Sequence, residues 1–110
     1  MYNIEEIKDL ILEKLRPLNP EKVILFGSYV YGNPTEDSDI DIYVVTNDDY
    51  MPNTWKEKSD LNIKVLTKIK DFTDKYHADI IIHTKAMHKK FIEMDSVFSR
   101  KIMQEGVVLI

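Results

Sequence analysis

The chain contains no cysteine. That excludes a disulfide framework, a thiolate zinc site and a thiol nucleophile, and leaves any metal to oxygen or imidazole ligands. Glycine (3) and proline (4) are too scarce among 110 residues for a collagenous or low-complexity chain. No apolar run approaches the roughly 20 residues that cross a bilayer. The stretch from Met1 to Glu6 has neither the basic start nor the apolar stretch of a secretory leader. A cytoplasmic location and no membrane partner are therefore expected. A basic excess is also missing: the net charge is −4, which gives no strong nucleic-acid signal.

What is there is a globular composition, 44% hydrophobic and 31% charged. At this length it predicts one domain over residues 1–110, burying about two thirds of its unfolded surface without a cross-link. The charge is segregated. Residues 1–55 hold 11 acids against 4 bases, and residues 56–110 hold 8 acids against 11 bases, so a cation-attracting part is expected in the first half.

Ile4, Ile7, Ile11 and Leu15 recur at helical spacing, with acids early and Lys14 and Arg16 late, as the helix dipole favours. Pro17 and Pro20 close that helix. Val23-Ile24-Leu25-Phe26 reads as a buried strand running into a Gly27-Ser28 turn, a short helical turn over Tyr29 to Tyr31 and a loop at Gly32 to Thr35. A second strand is predicted over Asp39 to Val45, followed by an irregular stretch to Asn53. Thr54 and Glu57 have capping-box spacing. One long helix begins there or a few residues later and carries Leu61, Val65, Ile69, Phe72 and Tyr76 on its inner face. Ala78 to His83 reads as a third strand. Thr84 caps a helix with Met87, Phe91 and Met94 turned inward. A last helix from Val97 to Met103 stops at Gly106, before a terminal strand Val107 to Ile110.

The chemistry-bearing residues lie on these strands. Asp39 and Asp41, two apart on a strand, send both carboxylates to one face while Ile40 and Ile42 face the other way. Adjacent carboxylates repel unless a proton or cation intervenes, and hard oxygen donors suit Mg²⁺ or Mn²⁺. Gly27-Ser28, at the end of an apolar strand and ahead of a helical turn, offers backbone N–H groups and a hydroxyl to an anion such as a phosphate. Asp79 adds a third carboxylate from another strand, where an acid facing a core layer requires compensation.

The ordered set of apolar strand, Gly27-Ser28, Gly32, Ser38-Asp39-Ile40-Asp41-Ile42 and Ala78-Asp79-Ile80-Ile81 resembles the nucleotidyltransferase superfamily that includes DNA polymerase beta. It is most similar to the minimal, single-domain members often encoded beside HEPN-domain proteins. The resemblance spans roughly Val23 to Ile82. It implies an α/β (α+β) nucleotidyltransferase fold, a small mixed β-sheet with helices packed mainly on one face. It implies that Gly27 and Ser28 hold the terminal phosphates of ATP or another nucleoside triphosphate. Asp39, Asp41 and Asp79 would be catalytic and would ligate two Mg²⁺ ions, with Mn²⁺ as a substitute. The two ions would clamp the entering and leaving oxygens of an in-line displacement at the α-phosphorus, releasing pyrophosphate. The acceptor it suggests is a hydroxyl, such as a tyrosine of a HEPN-type toxin, with this chain as antitoxin. A homo-oligomer is an open alternative for completing the site.

The chain departs from the family where Tyr29 and Tyr31 occupy positions that are arginine in many minimal members. The tyrosines either stack on a base or pack. The missing positive charge on the triphosphate has candidates in Lys64, Lys68 and Lys85. His83 shares a strand face with Asp79 and could reach the site, whereas His77 and His88 are expected to be exposed. Ser38 is expected to organise its loop by a side-chain to backbone hydrogen bond, and Trp55 either covers a nucleotide or anchors its loop. The competing reading is a catalytically silent module of the same fold, acting on its partner by contact alone.

Overall fold

A computed structural model describes residues 3–32, 34–35 and 37–110. Helix α1 (Ile4–Leu15) starts where the Asn3 side chain accepts the N–H groups of Glu5 and Glu6. It buries Ile7, Ile11 and Leu15, the stripe its spacing predicts. A 3-10 turn over Arg16–Leu18 leads into strand β1 (Lys22–Phe26), then the short helix α2 (Ser28–Tyr31) and strand β2 (Ile40–Val45). Helices α3 (Trp55–Lys68) and α4 (Lys70–Lys75) carry the chain over to strand β3 (Ala78–His83). Helices α5 (Lys85–Glu93) and α6 (Val97–Glu105) and strand β4 (Val107–Val108) complete the order.

The sheet is mixed, as expected, with strand order β3-β2-β1-β4. β2 pairs parallel with β3, a pairing that requires a crossover such as α3 and α4 provide, while β1 is antiparallel to both β2 and β4. One face carries Val23, Leu25, Ile40, Ile42, Val44 and Ile82 against Ile7, Ile11 and Leu15 of α1 and Leu61, Val65 and Phe72 of α3 and α4. Each such side chain contributes roughly 1.5–3 kcal/mol by leaving water. The other face carries Ile24, Phe26, Tyr43 and Val45, covered by Ile102 and Met103 of α6 and Phe91 of α5. The larger helical layer thus lies on one face. The smaller leaves the start of β2 and β3 open.

Four expectations are corrected. The long helix is two, interrupted at Ile69 (φ −102°, ψ 11°), yet Ile69, Phe72 and Tyr76 all stay buried because the break redirects the second piece onto the same core. β2 begins at Ile40, so Asp39 precedes the strand. The terminal strand is limited to Val107–Val108 by its short pairing with Ile24 and Leu25. Met94 is 73% exposed because its helix ends at Glu93, ahead of the left-handed turn at Asp95 (φ 48°). Thr54 caps α3 as expected, accepting the Glu57 N–H at 3.1 Å. Among the described residues no helix is long and apolar enough to cross a membrane.

Candidate functional site

Parallel pairing sets Asp41 directly opposite Asp79, and antiparallel pairing sets Phe26 opposite Asp41. Neighbouring strands lie about 4.8 Å apart, so the two aspartates project side by side from one face. Asp39 sits two residues earlier, just ahead of the strand. The start of β2 is pinned by the Ile40 N–H donating to the His77 carbonyl at 2.9 Å. Asp39 and Asp79 are exposed, and Asp41 is half-buried. The burden of desolvation therefore falls on Asp41, not on Asp79 as expected, because Asp79 stands on the outer strand β3. Burial, followed by the charges of Asp79 and Asp39, pushes the Asp41 carboxyl above the usual carboxylate range.

That crowding of like charge is a demand for a cation, and three carboxylates are the hard oxygen donors Mg²⁺ prefers. The chemistry of the donor set fits. The side chains as they stand do not yet gather: among the described residues no three acidic or imidazole groups converge tightly enough to grip an ion.

Gly27 joins β1 to α2 with φ at 82°, a region open to glycine and closed to most L-residues. It is also the point of closest approach to Asp41. A Cβ on Gly27 would overlap the Asp41 carboxylate, standing 2.9 Å from its Cγ. The Gly27 carbonyl accepts from the Val30 and Tyr31 N–H groups at 3.0 and 3.1 Å, and the Ser28 carbonyl accepts from Gly32 at 3.2 Å. The Gly27-Ser28 turn is thus a wound bend lying against Asp41. Ser38 organises the approach to β2 as expected, its Oγ accepting the Thr35 N–H at 2.9 Å.

Helix α6 supplies the other flank. Phe98 meets Phe26 edge to face, with ring centroids 5.9 Å apart. One turn later the Lys101 Nζ lies 4.7 Å from the centre of the Tyr31 ring. Nothing local in the sequence links α6 with α2, and this neighbour of the Gly-Ser turn was not among the basic candidates. Two of those candidates are held elsewhere: Lys64 pairs with Asp48 at 2.8 Å and Lys85 with Asp49 at 3.5 Å. Lys68 is exposed at the end of α3. Tyr29 is partly buried against the larger core. Trp55 is 83% exposed.

His83 does share a face with Asp79, but it lies four residues along β3, about 13 Å away at strand rise. There it is engaged with a different group. The fully buried Tyr43 places its hydroxyl 2.9 Å from the His83 Nδ1 and 2.7 Å from the His88 Nδ1. His88 is therefore half-buried and bonded, not exposed as expected. Burial holds both imidazoles below the ordinary histidine range, helped at His83 by His88 and at His88 by Lys22.

The family model for a nucleotidyltransferase domain matches residues 4–108 of the chain. A Methanocaldococcus jannaschii protein, provisionally named a protein adenylyltransferase, is 36% identical over 91 residues, spanning 81% of this chain and 77% of that protein. Among solved structures, a toxin-antitoxin crystallised with AMP-PNP superposes with a TM-score of 0.61 at 20% identity, over 94% of this chain and 72% of that one. A provisionally named nucleotidyltransferase from Sulfolobus solfataricus superposes with a TM-score of 0.57 at 23% identity, over 96% and 77% of the two chains.

Proposed function

The chain belongs to the nucleotidyltransferase domain family, and from that premise we propose that it is a Mg²⁺-dependent nucleotidyltransferase moving AMP from ATP to a hydroxyl acceptor. The observation that carries this reading is the register of Asp41 against Asp79, with Gly27 set against the Asp41 carboxylate. Asp39, Asp41 and Asp79 are the residues that would hold divalent cations. When bound, such ions would neutralise the triphosphate and lower the barrier to attack by the acceptor oxygen.

The chain's own part is positional. Gly27 lets the backbone of the turn stand close to the acids, and Ser28 offers its hydroxyl to the terminal phosphates. The new bond joins the acceptor oxygen to the α-phosphorus. The bond from that phosphorus to the bridging oxygen breaks, and pyrophosphate leaves with the electron pair. The acceptor hydroxyl loses its proton to solvent, beside Asp79 at the exposed edge of the sheet.

The acceptor we favour is a tyrosine on a partner protein of HEPN type. The support is indirect: the adenylyltransferase name of the archaeal relative and the toxin-antitoxin nature of one structural neighbour. Incubation with ATP labelled at the α-phosphate, Mg²⁺ and the product of the adjacent gene tests the proposal. Label should pass to the partner, and transfer should disappear in Asp39→Ala and Asp41→Ala. Neutralisation of the partner that survives both substitutions, with no label transferred, would establish the contact-only module instead.

A further inference from the structure

The phosphates of a triphosphate bound beside the Gly-Ser turn need a cationic partner, and α2 supplies none: its four residues are Ser28, Tyr29, Val30 and Tyr31. Tyr31 is one turn from Ser28 and therefore on the same side of this short helix. It is 38% exposed, and its ring carries the Lys101 ammonium at 4.7 Å. Lys101 is itself placed by packing. It follows Phe98 by one turn on α6, and Phe98 is seated on Phe26, the residue paired with Asp41 and joined directly to Gly27. Among the described residues no carboxylate forms an ion pair with Lys101, whereas Lys64 and Lys85 are committed to Asp48 and Asp49. Its alkyl stem has the length to swing its head from the tyrosine ring to an anion beside the turn, and a cation resting on an aromatic face is poised without being neutralised.

We propose that Lys101, held on the Tyr31 ring, is the phosphate-binding cation of this site, supplied by α6 in place of a basic side chain on α2. The inference rests on the nucleotide-binding reading above. It assigns Tyr31 a definite use: the ring is a platform for the lysine and not a contact for the base. Lysine reaching the terminal phosphates discriminates a triphosphate from a monophosphate, because its charge acts on groups that AMP lacks.

The test is calorimetric titration of the whole chain with ATP and with AMP, each with Mg²⁺, comparing wild type with Lys101→Met, Lys101→Arg, Tyr31→Leu and Asp41→Asn. One lost charge-assisted phosphate contact should weaken ATP about tenfold. In Lys101→Met, AMP affinity should stay within twofold of wild type. Lys101→Arg should restore most of the ATP affinity, and Tyr31→Leu should fall between wild type and Lys101→Met. Lys101 is exposed, so an unchanged urea midpoint in Lys101→Met certifies the fold. ATP affinity in Lys101→Met within twofold of wild type, with Mg²⁺-dependent binding lost in Asp41→Asn, would overturn the lysine assignment and leave the site standing. Equal loss of ATP and AMP would also overturn it. Absence of Mg²⁺-dependent ATP binding in wild type would remove the site and this inference together.

Discussion

The two ends of one sheet face make opposite use of polar side chains. At the end where β2 starts, Asp41 and Asp79 stand in register with Asp39 nearby, and burial together with the charges of Asp79 and Asp39 raises the Asp41 carboxyl. Two residues further along β2, Tyr43 occupies the same face, fully buried, with both nearby imidazoles turned to its hydroxyl. The backbone and the alternation are the same. What differs is the cover: Phe91 of α5 and Ile102 of α6 close over the tyrosine end, and the acidic end is open. Polar groups sealed under helices must find partners inside the protein, or folding bears the desolvation cost. Groups kept in reach of solvent can hold an unmet demand for a ligand.

The largest effect should come from removing that demand. Asp41→Asn keeps the shape and deletes the half-buried charge, and if Asp41 holds a cation as proposed, nucleotidyl transfer should fall by at least about a hundredfold. The same change should stabilise the metal-free fold at neutral pH. A carboxyl whose folded pKa is raised costs stability wherever it is ionised. The gain should therefore shrink as pH falls through the raised folded value toward the unfolded 3.8. Urea midpoints at pH 7 and pH 4 read this directly, and an Asp41→Asn variant less stable than wild type at pH 7 without Mg²⁺ would break the comparison.

Gly27→Ala attacks the same end through the backbone. A side chain at φ 82° is strained, and its Cβ must displace the Asp41 carboxylate. We expect a loss of about 1–3 kcal/mol in stability together with weaker Mg²⁺-dependent ATP binding. Tyr43→Phe tests the sealed end. It deletes one oxygen and leaves two imidazole nitrogens without their partner, at a cost of about 1–3 kcal/mol. Because the acidic end is untouched, ATP affinity should stay within twofold of wild type.

How far the chain could be read ahead of its fold follows from the same distinction. Asp39 and Asp41 announce themselves through their two-residue spacing around Ile40, and Asp79 as an acid within the apolar run from Ala78 to Ile82, signals carried by adjacent residues and joined by the family resemblance. Their register does not, since β2 meets β3 only after the crossover through α3 and α4. The break at Ile69 is silent because Ile69 continues the stripe of Leu61, Val65, Phe72 and Tyr76. His88 reads as exposed because the hydroxyl that binds it belongs to Tyr43, on a distant strand. Lys101 is hidden for the same reason: its surroundings are made by Tyr31 and Phe98 only once α6 packs beside the Gly-Ser turn. Local periodicity is legible, and chemistry assembled across the sheet is not.

The smallest effect, and the one that separates the two ends most cleanly, is the sign of their pH dependence. With both rings neutral, the Tyr43 hydroxyl donates to one Nδ1 and accepts from the other, which demands opposite tautomers. Protonating either ring puts a charge under the helices. Both folded pKa values lie below the ordinary 6.5, so below that pH the unfolded chain binds more protons and stability falls as pH drops, levelling once the folded values are passed. At the acidic end the slope is reversed: protonating Asp41 relieves it. Urea midpoints of wild type should therefore decline from pH 7 toward pH 5, and His83→Gln with His88→Gln should flatten that decline. Asp41→Asn should leave the histidine part of the slope in place. A double histidine variant with the wild-type slope would show that the tyrosine end titrates elsewhere, and the contrast between a satisfied and an unsatisfied polar cluster on one sheet face would then fail.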